Sequence, residues 1–535
     1  MKLALLKLTA AKAAGLAAGL AAGLGWLLAG PVRAQLPAPA AVMLTVPAGL
    51  AVGPFNVPHI MQVPKGFALA VYARVPNARF LAITPDGNLL VSQPGQGKVS
   101  LVRPGLAGGL PVVSDFVTGL RNPHDLVFHS IGSVMYLYLS ESYQINRFVY
   151  QAGDLTAQGR QVIITGLPDA STPELHGSYG HQLKNMALDG NHKLYVSIAS
   201  TCNACESDTQ SDPVRGAIYQ YNADGSNRRL FARGLRNAEG LAFIPGTNTL
   251  WVTVNNRDNT PYPFNDATGK YGQVLPDYVD NHPPDEFTQV ADGANYGWPF
   301  YNPNPDAGLD NMPFDRDYDW NRDGHVDLAK MTRISKGIQA HSAALGLTFL
   351  QGTKFPAAYA SGAVVALHGS WNRRIPTGYK VVYFPWDAAT QKPGTQRDLV
   401  AGFVDANGQN GWGRPVDTAV DLQGHLLISD DQSGTIYQLT APTSGLATSK
   451  AAPAATAQLY PNPTGVDAAT LDLSALPAGR YTVTVLDLLG RTVLASQVAS
   501  GGSRAALATT GLSRGSYLVR VQSEQLSQVL RLVKQ

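Results

Sequence analysis

At 535 residues the chain exceeds the usual size of one compact domain, and it predicts a large domain with an accessory one. Its 15% charged residues, 54 glycines and 36 prolines suit a turn-rich all-β protein and argue against a helical one. A formal net charge of +3, with no basic run interleaved with aromatics, argues against nucleic acid as a partner.

The chain begins with a targeting pattern. Lys2 and Lys7 precede an Ala/Leu/Gly-rich stretch from Ala13 to Gly30, and Val32-Arg33-Ala34 places small residues at the cleavage positions. Residues 1–34 are predicted to be a signal peptide. The glycines and the Pro-rich segment that follows favour cleavage over a stable transmembrane span. Export permits disulfides. The two cysteines, Cys202 and Cys205 in TCNACES, cannot complete a four-ligand zinc site and lack the βαβ context of a redox motif, so a short-range structural disulfide is expected.

From residue 35 to 440 one pattern recurs: an apolar strand, a Gly or Asp-Gly turn, and a second strand ending in a polar cluster. Its copies begin at Leu81, Asp125, Asn185, Gly240, Gly346 and Asp417. Most are followed by a further strand such as KVSLVRP or KVVYFPW, and helical periodicity is nearly absent. Six such units predict a six-bladed β-propeller. A polar, Pro-rich insertion from Asp258 to Lys336 is expected to form loops over one face, where binding residues gather. Residues 441–458 read as an Ala/Ser/Thr/Pro linker. Residues 459–535 carry short alternating strands with Gly-Arg turns, which predict a small Ig-like β-sandwich of about seven strands.

Several residues are suited to chemistry. His181 leads into the strand after Asn185, and an imidazole is a fit base for an alcohol proton; a structural histidine bonded to a loop carbonyl is the alternative. In GLRNAEGLAF, Arg236, Asn237 and Glu239 stand ahead of the strand expected from Gly240, and a guanidinium there can grip a carboxylate with two prongs. GLRNPHDLVF repeats the pair as Arg121 and Asn122, so Arg-Asn is also readable as a tie between sheets. The turn VNNRDN offers the carbonyls of Asn256 and Arg257, of the oxygen type that calcium prefers, or is a plain turn. DWNRDGHVDLAK begins like a calcium loop, with Asp319, Asn321, Asp323 and Asp327, but Lys330 stands at the twelfth position. His368, Trp371, Arg373 and Arg374, with Trp412 and Arg414, supply aromatic and cationic groups for a planar polyanion, or are solvated surface residues.

Taken together, GHQLK, CNAC, GLRNAEGLAF, LWVTVNNRD, PDEFTQV, ANYGWPFY, AHSAALGLTF, ALHGSWNRRIPTGYKV and WGRPVD resemble the soluble quinoprotein sugar dehydrogenases, nearest the sorbosone dehydrogenase-like branch. The resemblance covers most of Val63 to Leu439. It implies a six-bladed propeller that binds pyrroloquinoline quinone (PQQ) with calcium. His181 matches the base that takes the hydroxyl proton while hydride passes from the sugar to the quinone. Arg236 and Asn237 match an Arg-Asn pair on the cofactor, Arg414 a contact to its carboxylates, and Arg373 or Arg374 stands near a cofactor-binding lysine. Asn256 and Arg257 fall at the calcium turn. Three departures stand out: Glu239 replaces Gln, Asn-Arg replaces Gly-Pro, and Ser200 replaces the acid that orients the histidine.

The last domain, with LYPNPT, GRYTVTVLDLLGRTV and a basic end RLVKQ, resembles the C-terminal sorting domain of the type IX secretion system. It implies passage by way of the periplasm to the cell surface or exterior, with the secretion machinery as partner. The expected function is oxidation of an aldose or related sugar, with electrons leaving to an external acceptor because no CxxCH haem motif is present. A calcium-dependent sugar lactonase-type hydrolase and a non-catalytic carbohydrate-binding propeller are the alternatives.

Overall fold

The computed structural model describes residues 36–105, 108–359, 361–387, 389–405, 411–442, 457–476, 478–487, 492–500, 502–523 and 527–535. The predicted signal peptide and most of the predicted linker lie outside them. The chain forms two compact units, Met1–Thr443 and Ser444–Gln535.

Among the described residues of the first unit, six antiparallel sheets follow one another in chain order. Their first strands are Leu81–Ile83, Leu126–Ile131, Met186–Leu188, Asn237–Phe243, Ala344–Phe349 and Pro415–Val420. Each corresponds to one of the six repeated units. Successive first strands touch, and the sixth touches the first, so the sheets close into a ring. The alternation of apolar residues explains the packing: the even and odd faces of each second and third strand both meet a neighbouring sheet. Leu90, Leu101, Leu137 and Leu139 are buried in one such layer, and Val252, Val254 and Ile218 in another.

Closure depends on a strand that precedes all six units. Ala68–Arg74 pairs antiparallel with Thr435–Thr440 and so completes the sixth sheet from the other end of the chain. The sequence pattern does not announce this, because the strand belongs to no copy of the repeat. A short ribbon, Pro39–Met43 with Ile60–Pro64, lies ahead of it.

The Asp258–Lys336 segment departs from expectation. It is not loop throughout, because Asp285–Val290 is the third strand of the fourth sheet and Lys336–Ile338 is the fourth. The polar string DEFTQV escapes notice as a core strand because its acids are internal acceptors. Asp285 is buried and takes the Asn256 and Ala343 N–H groups, while Glu286 takes the Asn256 side-chain amide at 2.9 Å.

Buried side chains also stitch one sheet to the next. Asp125 accepts from the Met186 N–H at 2.7 Å, and Asp417 accepts from the Leu81 N–H at 2.9 Å. Ser140 and Ser429 donate to the carbonyls of Lys184 and Arg79, and Thr253 donates to that of Leu345. The first strands of the fourth, fifth and sixth sheets each carry a register shift near their start. Gly240 and Gly346 sit within two of these shifts, where an added Cβ would strike Leu345 O and the Asp417 carboxylate respectively.

Among the described residues of the second unit seven strands form sheets of three and four. Leu471 and Leu507 from one sheet, and Val483, Val485, Val519 and Leu532 from the other, share one apolar core.

Burial pushes the Asp417 carboxyl up to about 8 and the Asp125 carboxyl up to about 7, against the pull of their backbone N–H donors. Both therefore hold a proton more tightly folded than unfolded, where an Asp titrates near about 3.9. Their stabilising contribution is complete below that unfolded value and is lost as pH rises through about 7 to 8. In thermal melts between about pH 5 and about pH 9, the Tm of the native sequence should fall more steeply than that of an Asp417→Asn variant, whose amide does not titrate. Parallel curves would contradict the assignment.

Candidate functional site

One end of the ring gathers two kinds of segment, those that lead into first strands and those that leave second strands. Two adjoining cavities of about 380 and about 200 Å³ lie there and share Arg79, His181 and Glu239 in their walls. Arg79, His181 and His341 stand on leading segments. Asn255, Asn256, Asp258, His368 and Asp431 stand at or beyond second-strand ends.

His181 is held by Ser200. Its Nδ1 lies 2.9 Å from the Ser200 carbonyl and 3.1 Å from the Ser200 hydroxyl. A carbonyl only accepts, so Nδ1 carries the hydrogen and Nε2 keeps the lone pair. Burial, then the nearby Arg236 charge, lowers the imidazole to about 4. The ring is therefore neutral at neutral pH. The loop beneath it is pinned by Lys184, whose buried ammonium donates to the carbonyls of Gln182 and Pro168. The loop-carbonyl bond of the alternative reading is present, and it is this bond that sets the tautomer.

Arg236 is buried, and its guanidinium donates to four carbonyl oxygens: Asn203 O at 3.0 Å, Asn203 Oδ1 at 3.2 Å, Asn256 O at 2.7 Å and Asn255 O at 3.4 Å. Asp258 lies 3.6 Å away. Desolvation lowers the group to about 10, still charged at neutral pH. Asn237 donates to Glu239 at 3.0 Å. Burial pushes the Glu239 carboxyl up, but His124, Arg79 and Asn237 outweigh it and hold it down to about 2. The earlier copy of the pair behaves differently: Arg121 is ion-paired to Asp169 and stacked on Tyr143, and it lines neither cavity.

Other expected residues are not in these walls. Arg374 is bound to Asp280 and Asp277, and with Arg373 it lines a separate groove of about 280 Å³, joined to the cavity only through Trp371. Trp412 belongs to the apolar core, stacked on His59 at 3.9 Å between ring centres. Arg414 donates to the carbonyls of His368 and Gly369, and so supports two wall residues from behind. The Asn256 carbonyl is occupied by Arg236, and Arg257 is buried in ion pairs with Asp317 and Asp319.

The second calcium candidate does not assemble either. Asp319 pairs with Arg257, Asn321 with Val326, Asp323 with His325, and Asp327 caps a short helical turn through the Ala329 N–H. Each of these side chains serves a different neighbour. The predicted disulfide between Cys202 and Cys205 is present.

Sequence reasoning missed Arg79, Asp258, Asp285, His341 and Asp431 as wall residues. Asp431 pairs with both Arg79 and His368, and His341 pairs with Asp258 at 3.4 Å. Their common signal was position, since each lies beside the start of a first strand or at the end of a second or the start of a third. The count of charges also differs from expectation. Two guanidiniums, Arg79 and Arg236, face four carboxylates, Glu239, Asp258, Asp285 and Asp431. The walls are not electropositive.

The TrAA12-like family model matches residues 61–442, and the secretion system C-terminal sorting domain model matches residues 458–535. An uncharacterised protein of Borreliella burgdorferi is 24% identical over 388 residues, 71% of this chain and 90% of its own. A pyrroloquinoline quinone-dependent pyranose dehydrogenase of Coprinopsis cinerea is 25% identical over 422 residues, 70% of this chain and 54% of that protein, so the chain spans about half its length. Two solved structures share the fold. The holo PQQ domain of the Coprinopsis cinerea pyranose dehydrogenase has a TM-score of 0.59 at 20% identity, covering 74% of this chain and 98% of that one. The calcium structure of a Trichoderma reesei AA12 enzyme has a TM-score of 0.58 at 18% identity, covering 76% and 98%.

Histidine NMR on the cofactor-free protein should find one ring, assigned by loss in His181→Ala, that stays neutral with hydrogen on Nδ1 until the pH falls towards about 4. Ser200→Asp should raise that titration by about one unit or more, because a carboxylate favours the imidazolium. An unshifted titration would show that Ser200 does not govern the ring.

Proposed function

Because the chain belongs to the TrAA12-like family, we propose that it is an exported PQQ-dependent oxidoreductase acting on an aldose or related sugar, with the ring of six sheets forming the blades of a propeller. The observation that carries this reading is His181: a neutral imidazole with its Nε2 lone pair available, in the wall of a cavity that also holds Arg79 and Arg236. The sorting domain matched at residues 458–535 supports delivery to the cell surface or exterior through the type IX secretion machinery.

The walls fit the quinone together with a divalent cation better than the quinone alone. The two cavities together have the volume of a small-ligand site, typically about 300–1,000 Å³. A bare tricarboxylate would meet more carboxylates than guanidiniums. A divalent cation beside it reverses most of that repulsion and gives the acids a role. The buried Arg79 Nε has no acceptor and the buried Asn255 Oδ1 has no donor, so this wall has both an unmet donor and an unmet acceptor. Calcium would draw on Asn255 Oδ1, which has no donor, and on the carboxylates of Asp258 and Asp285, whose oxygens would share it with their present N–H and cationic partners.

When bound, PQQ supplies the two-electron acceptor for the substrate hydride. The chain's residues do the rest. Arg79, whose Nε has no acceptor, would hold a cofactor carboxylate, and Arg236 would add its positive charge from the wall. His181 takes the substrate hydroxyl proton at Nε2, and its Nδ1–H stays on the Ser200 carbonyl, which keeps the ring aimed. Trp371 is 72% exposed at the rim and offers a flat apolar face to a pyranose ring. A lactonase-type hydrolase needs converging carboxylates on one metal. Among the described residues, no three acid or imidazole groups of this cavity bring their ligand atoms within 4.8 Å of one another.

Reconstitution tests the reading. Dye-linked sugar oxidation should appear only when both PQQ and calcium are supplied, and chelation should release PQQ as followed by its absorbance. Lactone hydrolysis without PQQ would instead favour the hydrolase. His181→Ala should keep PQQ binding and lose about 100- to 10,000-fold in turnover, the usual cost of removing a general base. Glu239→Gln should bind PQQ about tenfold more tightly, since it removes one negative charge from a wall that faces a polyanion, an effect on the order of 1 kcal/mol in partly screened surroundings.

A further inference from the structure

Asn203 stands between the two cysteines of the disulfide, on a four-residue ring, and its side chain is exposed. An exposed asparagine on a short loop ordinarily makes few lasting contacts. This one makes five hydrogen bonds. Its backbone carbonyl accepts from Arg236 Nε at 3.0 Å and from the Trp298 indole N–H at 3.1 Å. Its Oδ1 accepts from Arg236 Nη2 at 3.2 Å and from the Asp258 N–H at 2.7 Å. Its Nδ2 donates to the Asp258 carbonyl at 2.8 Å. It therefore grips the guanidinium of Arg236 with two oxygens and the backbone of Asp258 at both N–H and C=O.

The ring is tied to the rest of the site on both sides. The Ser200 hydroxyl, which lies beside His181, donates to the Cys202 carbonyl at 2.9 Å, and the Ser200 N–H donates to the Arg236 carbonyl at 2.8 Å. The buried Asp208 carboxylate accepts from the Thr201 N–H and hydroxyl at 2.7 and 2.8 Å and pairs with Arg215. A cross-link across three bonds of sequence restricts the backbone of the residues between its ends, which keeps the Asn203 carbonyl aimed at Arg236.

We propose that Asn203, presented by the Cys202–Cys205 ring, is a positioning residue that sets the spacing of Arg236 and Asp258 in the cavity wall, and that the disulfide serves this alignment. It acts through Arg236 and Asp258 and touches neither substrate nor cofactor. The effect on cofactor affinity rests on the oxidoreductase reading; the effect on the wall itself does not.

The test therefore has two arms on the full-length protein. In the cofactor-free protein, hydrogen exchange read by mass spectrometry on peptides spanning 255–260 and 233–240 should be faster in Asn203→Ala than in the native sequence, because the Asp258 amide loses its acceptor. Asn203→Asp keeps an Oδ1 acceptor for that amide and for Arg236, and should restore protection. A Cys202→Ala/Cys205→Ala variant retains Asn203 and should also speed exchange in both peptides. Peptides from the first and second sheets should be unchanged in all three. In the second arm, titration with PQQ in saturating calcium should show Asn203→Ala weakened about ten- to a hundredfold, the usual loss for a hydrogen bond to a charged group, with Asn203→Asp weakened less despite its added charge. Native-like exchange at 255–260 in Asn203→Ala overturns the proposal. So does equal weakening by Asn203→Asp and Asn203→Ala in both arms. If the native protein binds no PQQ, the oxidoreductase reading falls, and the exchange arm alone decides the role of Asn203.

Discussion

The structure depends on buried side chains that bond across the boundary between one sheet and the next. Asp417 holds the Leu81 N–H, Asp125 holds that of Met186, and Asp285 holds that of Ala343. Ser429 and Ser140 hold the carbonyls of Arg79 and Lys184. Apolar layers between sheets drive their stacking, but such contacts are non-directional and permit sliding. A hydrogen bond that a buried acid accepts from one particular backbone N–H does not, because leaving either group unpaired in the interior costs about 1–3 kcal/mol. The bonds that close the ring also fix the segments bearing Arg79, His181 and His341. Fold and site share these constraints.

The charge pattern of the cavity follows the same logic. Arginines that look available in the sequence are occupied: Arg374 by Asp280 and Asp277, Arg257 by Asp317 and Asp319, and Arg414 by two carbonyls. What remains around the cavity is a wall with more carboxylates than guanidiniums, in which each guanidinium has a carboxylate close by. Burial completes the setting by keeping His181 neutral.

Much of this was readable from residue order. Six alternating strand-turn-strand units predicted six sheets, and six are described, with first strands near the expected starts. His181, Arg236, Asn237 and Glu239 were singled out and do share a wall. Two strands were not readable. DEFTQV looks polar because its acids satisfy backbone donors inside the fold, and Ala68–Arg74 lies outside the repeat it completes. Arg373, Arg374, Trp412 and Arg414 were grouped by residue type, which cannot tell a paired guanidinium from a free one.

The sequence by itself determined the β class and the repeat, because each rests on local periodicity and composition, and it raised the expectation of a short-range disulfide, which the structure contains. Only the tertiary structure decided which charged groups face one another. Asn203 meets Asp258 across 55 positions, and Arg79 meets Asp431 across 352. Such pairs form when ring closure brings distant strand ends within hydrogen-bonding distance, and no local pattern in the chain encodes that meeting.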